Sequence, residues 1–169
     1  MFKRLLIANR GEIALRVARA CRELDIDPVM VYSEADRDAL HVQLAAHAYC
    51  IGPAPAQQSY LNGDAILTVA KAAGCDAIHP GYGFLSENAA FAQECVDEGI
   101  AYVGPAAHVI ATMGNTAAAR EMMKRAGVPV VPGSDGSVAN ASEGARIAKE
   151  IGYPVLIKAA AGGGGRGMR

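Results

Sequence analysis

The sequence predicts a doubly wound α/β domain built on a parallel sheet, and three observations carry that expectation. Short continuous apolar runs, Leu5-Leu6-Ile7-Ala8 and Pro28-Val29-Met30-Val31-Tyr32, have the pattern of strands covered on both faces. These runs alternate with segments of helical period, the order in which parallel crossovers are built. Predicted helices stop at Gly74, Gly99, Gly127 and Gly152, each with a further apolar run starting within three residues. The alternation is one of structure and not of repeated sequence.

Composition narrows the partners. The chain has 169 residues, 51% of them hydrophobic, with 19 Gly, no Trp and a formal net charge of -1. Such a balance leaves no footprint for nucleic acid or an anionic membrane, and it points to a small-molecule ligand. No apolar run reaches the length of a membrane span, and Met1-Phe2-Lys3-Arg4 leads into a strand too short for a signal peptide, so a cytoplasmic protein is expected. Cys21, Cys50, Cys75 and Cys95 form no Cys-x-x-Cys pair and are expected as buried, reduced thiols. The four His residues form no metal-ligand pattern, and no metal site is expected in this chain. Asn140-Ala141-Ser142 matches a glycosylation acceptor, but in a cytoplasmic chain Ser142 is better taken as a helix cap.

The first strand turns through Asn9-Arg10-Gly11 into a helix with Ile13, Val17, Cys21 and Leu24 on its inner face. Its outer face carries Glu12, Arg16, Arg19 and Glu23, spaced for the pairs Glu12 to Arg16 and Arg19 to Glu23. The strand from Pro28 to Tyr32 then completes a parallel crossover unit. A short helical piece over 41–45 leads to a weak strand around Ala48-Tyr49-Cys50-Ile51. After the turn Gly52-Pro53-Ala54-Pro55, Asn62 can cap a helix that buries Ile66, Val69, Ala70 and Ala73.

The short run Asp76-Ala77-Ile78 feeds a loop on which the rest of the chain converges: His79-Pro80-Gly81-Tyr82-Gly83-Phe84-Leu85-Ser86-Glu87-Asn88. One Pro and two Gly impose a sharp turn with close backbone approach. In an open α/β sheet the crevice beyond the carboxyl ends of the strands is where ligands bind, so this loop is a candidate site. Its composition would equally serve a plain strand-to-helix connection, with Tyr82 and Phe84 packed inward and His79 hydrogen-bonded in the core. Ser86 fits an N-cap and Glu87 the first turn of a helix burying Phe91 and Cys95.

Five strands fall between Lys3 and Val103. Beyond Gly104-Pro105 come helical pieces over 108–113 and 115–126, with Arg120, Glu121, Lys124 and Arg125 expected at the surface. A domain over 1–104, a helical linker over 105–129 and an incomplete second domain over 130–169 are expected. Short apolar runs are read as strands at Val128-Pro129-Val130, where the linker meets that last part, and at Pro154-Val155-Leu156-Ile157, with a helix starting at Ser142 between them. One helix and one good strand are too little to bury a core alone.

A second chemical feature runs from Lys158 through Gly162, Gly163, Gly164 and Gly165 to Gly167 and Met168. Consecutive glycines leave backbone N–H groups free to curl around phosphate oxygens, and a Lys at the end of a strand adds fixed positive charge. The order differs from a Walker A loop, where the Lys follows the glycines. A plain flexible linker is the alternative. A dinucleotide-binding turn after the first strand would need three glycines, and Asn9-Arg10-Gly11-Glu12-Ile13-Ala14 supplies one.

Taken together, Ile7 to Ala14, Gly52-Pro53-Ala54-Pro55 with Ser59-Tyr60-Leu61-Asn62, the loop from His79 to Asn88, Val131-Pro132-Gly133-Ser134 and the segment from Lys158 to Gly167 resemble the amino-terminal part of the biotin carboxylase family. These are the ATP-grasp components of biotin-dependent carboxylases such as acetyl-CoA carboxylase. The resemblance spans the whole chain in five ordered motifs. It implies a Rossmann-like pre-ATP-grasp domain, then the start of an ATP-grasp lid domain. It also implies use of ATP and bicarbonate, with Mg2+ or Mn2+, to carboxylate carrier-bound biotin through carboxyphosphate.

By the same resemblance, ATP is contacted by Lys158, Gly163, Gly164, Gly165, Gly167 and Met168. Thr116 stands after Met113-Gly114-Asn115 where the family usually carries a phosphate-binding Lys. The loop residues His79, Tyr82, Gly83 and Glu87 face biotin and bicarbonate, and Arg16, Arg19 and Glu23 belong to a homodimer surface. The implied partners are a biotin carboxyl carrier protein and a carboxyltransferase. The metal-binding carboxylates of the family lie beyond the region matched, so the isolated chain is expected to be inactive. Two readings stay open: the amino-terminal third of a biotin carboxylase, or a non-catalytic split or decayed subunit serving as a nucleotide-binding or dimerisation module.

Overall fold

The computed structural model describes residues 2–134, 136–159 and 168–169, the side chains of 116–117 excepted. The chain forms two compact units, Met1–Ile110 and Ala111–Arg169.

In the first unit, strands β1 (Arg4–Ile7), β2 (Asp27–Tyr32), β3 (His47–Cys50), β4 (Ala77–His79) and β5 (Ala101–Tyr102) form one sheet in the order β3-β2-β1-β4-β5. Every pairing is parallel. Helices α1 (Gly11–Glu23), α2 (Leu40–Gln43), α3 (Gly63–Ala72) and α4 (Ala89–Asp97) make the crossovers. The doubly wound arrangement expected from the apolar runs is therefore present.

The alternation of side chains along β1 explains why that strand is apolar from Leu5 onward. Leu5 and Ile7 point to one face and pack with Val17, Ala18 and Cys21 of α1, while Leu6 and Ala8 point to the other, with Ile66, Phe91 and Cys95 of α3 and α4. A strand covered on both faces has no position left for a polar side chain. Burying one such aliphatic side chain stabilises by roughly 1.5–3 kcal/mol.

Helix ends follow local chemistry. Asn62 caps α3 by accepting from the Ala65 N–H, and Gly74, Gly99, Gly127 and Gly152 all take the positive φ at which helices stop. Three expected details change. The cap of α4 is Asn88, which accepts from the Phe91 N–H at 3.0 Å, because Phe84–Glu87 form a 3-10 turn that places Ser86 and Glu87 before the helix and not in it. Leu24 is 56% exposed because α1 ends at Glu23 and the chain reverses there through Asp25 at φ 56°. Cys50 is exposed while the other three thiols are buried, since β3 lies at the sheet edge and its last two residues have no layer above them.

Helix α5 (Ala107–Gly114) leads from the first unit into the second, which holds α6 (Thr116–Arg125) and α7 (Ala141–Ile151). Asn140 caps α7 by accepting from the Glu143 N–H, so Ser142 lies in the first turn. Arg120, expected at the surface, is half-buried because its guanidinium donates to the Gly133 and Ser134 carbonyls, both at 3.2 Å. The expected strands at Val128-Pro129-Val130 and Pro154-Val155-Leu156-Ile157 are irregular; Leu156 and Ile157 are 67% and 69% exposed. A strand is held by its neighbours, and among the described residues of these two runs only Ile157 has one, exchanging two backbone hydrogen bonds with Arg169. Among the described residues of this unit only Ala148 is buried.

Candidate functional site

Strand order reverses at β1, whose crossover through α1 leads to β2 on one side while β4 pairs on the other. The crevice at such a reversal opens beyond the carboxyl ends of the two strands. Here it is taken up by the turn after β1 meeting the loop after β4.

Asn9 holds that meeting point. It is 3% exposed, at the end of a strand that has just left the core, and a buried amide there must find partners. Its Nδ2 donates to the Pro80 carbonyl at 2.8 Å and the Tyr82 carbonyl at 2.9 Å, and its Oδ1 accepts from the Arg10 N–H at 2.9 Å. Gly81 lies between the two bonded carbonyls with φ +69°, and a Cβ on it would stand 2.6 Å from Asn9 Nδ2. The glycine is required twice over, by conformation and by space. Gly83 follows at φ 65° and ψ -163°, a region essentially confined to glycine.

Arg10 and Glu12 grip the same loop from outside. The Arg10 guanidinium lies over the Tyr60 and Phe84 rings, 5.4 and 5.6 Å from their centroids, and those rings stack at 5.1 Å. Asp36 anchors the arrangement, accepting from Tyr60 OH at 2.7 Å, Ser33 Oγ at 2.8 Å and Arg10 at 3.3 Å. Burial works against the Asp36 carboxylate, but these three donors outweigh it and hold its pKa below the usual range. Tyr60, fully buried, is pushed up to about 12 by burial and by its bond to Asp36. The Tyr82 hydroxyl donates to the Glu12 carboxylate at 2.5 Å, so Glu12 faces Tyr82 and not Arg16. On the far side Tyr102 OH donates to the Ser86 carbonyl at 3.2 Å.

Of the predicted loop residues, Tyr82 is 63% exposed and Glu87 is exposed, while His79 is half-buried. His79 Nδ1 accepts from the Gly81 N–H at 3.0 Å, which leaves the ring proton on Nε2, and burial keeps its pKa below the ordinary histidine value. Phe84 packs inward, whereas Tyr82 does not. Arg16, Arg19 and Glu23 line a shallow groove along the outer face of α1 together with Glu12 and Leu15. The structure thus brings Glu12 of that face and Tyr82 of the loop together, a contact that spacing within the helix did not suggest.

In the second unit Lys158 and Met168 stand opposite each other in an antiparallel bridge, and the flanking Ile157 and Arg169 exchange two backbone hydrogen bonds of 2.8 and 2.9 Å. The two ends of the predicted phosphate cradle are therefore adjacent. Gly163, Gly164, Gly165 and Gly167 lie outside the described residues, and Thr116 opens α6. Among the described residues no group of three or more His, Cys, Asp or Glu could hold a metal ion, and no helix is long and apolar enough to cross a membrane.

The roles of Asn9, Arg10 and Glu12 escaped the sequence reading. A signal existed: an Asn directly after a four-residue buried strand is a buried polar group, and its partners must come from whatever strand lies alongside. Only the pairing of β1 with β4, about seventy residues apart in sequence, identifies them.

Residues 1–110 match the family described as biotin carboxylase, N-terminal domain, and residues 115–169 the family described as carbamoyl-phosphate synthase L chain, ATP binding domain. The chain is 62% identical over its full length to biotin carboxylase 1 of Bacillus subtilis, of which it covers 38%. It is 59% identical to the biotin carboxylase of Pseudomonas aeruginosa, again covering 38%. The crystal structure of a Campylobacter jejuni biotin carboxylase in complex with beta-gamma-ATP superposes over the whole chain with a TM-score of 0.93 at 53% identity, the chain covering 38% of it. The biotin carboxylase domain dimer of Hydrogenobacter thermophilus 2-oxoglutarate carboxylase, solved with MgADP, ADP and bicarbonate, gives 0.91 at 57% identity with 37% covered. The chain spans little more than a third of the length of these relatives.

Proposed function

Because the chain belongs to the biotin carboxylase N-terminal domain family, we propose that it forms the amino-terminal part of an ATP-dependent ligase that carboxylates carrier-bound biotin with bicarbonate, through carboxyphosphate. The observation that carries this reading is the bridge between Lys158 and Met168, which joins the ends of a glycine run inside a segment matching an ATP-binding domain. In this reading Lys158 and the backbone up to Met168 meet the ATP phosphates. The loop from His79 to Glu87 faces biotin and bicarbonate, with Tyr82 and Gly83 nearest. Residues 1–104 form the amino-terminal domain, 105–129 the linker and 130–169 the start of the lid domain.

Phosphoryl transfer is mainly a matter of positioning and charge stabilisation, so a loop held rigidly at several points suits a surface against which a substrate must be placed. Asn9, Arg10 and Tyr102 supply that rigidity. Mg2+ or Mn2+ would neutralise phosphate charge when bound, but the described residues do not fit a metal site, and no role in holding it is assigned to them. The α1 face with Arg16, Arg19 and Glu23 is proposed as the contact with a second copy. A biotin carboxyl carrier protein and a carboxyltransferase are the proposed partners, in the cytoplasm.

A chimera tests the reading: residues 1–169 replace the matching part of the Bacillus subtilis enzyme, and ATP cleavage is measured with and without biotin. Biotin-dependent cleavage is expected. A folded chimera that binds ATP yet cleaves none in response to biotin would count against it.

A further inference from the structure

The Tyr82 side chain is exposed, and packing does not choose its rotamer; its backbone, by contrast, is fixed by the bond from Asn9 to its carbonyl. The ring direction is set by one contact, the hydroxyl bond to Glu12 in the first turn of α1. We propose that Glu12 is a positioning residue for Tyr82, holding the phenol in the orientation in which the loop meets biotin. The proposal rests on the reading of that loop given above and adds to it a residue of a different element.

Three observations support it. Glu12 lies four residues before Arg16, where an ion pair along the helix would be the default for an exposed carboxylate, yet it is turned to a partner seventy residues away. The acceptor is a carboxylate oxygen, so the Tyr82 hydroxyl meets a charged partner and not a neutral one. The bond and the Glu12 charge both favour the neutral phenol, so the Tyr82 pKa is raised and the hydroxyl remains a donor through the physiological range. Without Glu12 an exposed tyrosine would sample several rotamers, and biotin would have to select one.

The test uses the chimera described above. Glu12→Ala is expected to raise KM for biotin about fivefold with little change in kcat, the size of one lost hydrogen bond at an exposed site. Glu12→Gln, which keeps an acceptor oxygen, recovers most of that loss. In a Tyr82→Phe background Glu12→Ala adds nothing, because its target hydroxyl is gone. Additive effects of the two changes, or an equal fall in ATP cleavage measured without biotin, would overturn the proposal. A Tyr82→Phe variant with unchanged KM would instead remove the reading of the loop as the biotin side. The hold of Glu12 on Tyr82 is then judged by spectrophotometric tyrosine titration. A downward shift of one tyrosine in Glu12→Gln that is absent in the Tyr82→Phe background supports it, and no shift refutes it.

Discussion

Gly81→Ala separates a steric requirement from a conformational one. Alanine at a left-handed position is destabilising by about 1 kcal/mol through its backbone alone. At Gly81 the new Cβ also meets Asn9 Nδ2 at 2.6 Å and Cγ at 3.0 Å, and Asn9 is too deeply buried to swing away into water. Moving it breaks the bonds to the Pro80 and Tyr82 carbonyls, each worth about 1 kcal/mol net. The total is about 3 kcal/mol. Gly74, at the end of α3, has nearly the same φ, +66°, and nothing within 4 Å of its hypothetical Cβ. Gly74→Ala should therefore be destabilising by the backbone term only, about 1 kcal/mol. Urea unfolding of both variants and the unaltered chain, followed by circular dichroism, measures the difference directly. Equal destabilisation would mean that Asn9 yields freely and that the loop is not clamped as described.

Two further outcomes are expected. The imidazoles of His41 and His79 have pKa values held down by burial, and His41 is only 1% exposed. Below the ordinary value of about 6.5 the unfolded chain takes up protons that the folded chain refuses, so stability present above that pH is lost as pH falls, at up to about 1.4 kcal/mol per unit for each histidine. Urea midpoints between pH 7.5 and 5.5 should fall, and His41→Gln should flatten the slope; a slope unaltered by that change contradicts the account. Asp36, with a lowered carboxylate pKa, contributes only at far lower pH. In the chimera, and on the proposed reading of Thr116 as a phosphate-side position, Thr116→Lys is expected to tighten ATP binding about tenfold by adding a positive charge, measurable by calorimetry, and an unchanged Kd would refute the inference.

The layers of the first unit were legible in the sequence because burial on both faces forces an uninterrupted apolar strand, as in β1, and because glycine stops mark helix ends. The loop from His79 to Asn88 was legible as a constrained turn for the same reason: proline and glycine advertise unusual backbone. What holds the loop was not legible. Asn9, Glu12 and Tyr60 act through contacts 24 to 73 residues away, set by which strands become neighbours, and no local pattern encodes that. Residue type marks Ser86 and Ser142 as caps, but an Asn lies within two positions of each, and cap preference alone does not choose between them. The two irregular apolar runs of the second unit have the composition of strands, but propensity alone does not make a strand, and among their described residues only Ile157 has a ladder partner.

The place of β1 in the sheet has a consequence for how the chain is made. It is the first of the five strands to be synthesised and the middle one in space, bonded on one side to β2 and on the other to β4. A ribosome must therefore release about seventy further residues before the second edge of that apolar strand can be covered. During that interval Leu5, Leu6 and Ile7 form a sticky, half-paired template, the state in which nascent chains recruit chaperones or one another. The long-range closure between β1 and β4, with the Asn9 amide bonding across it, then covers that second edge.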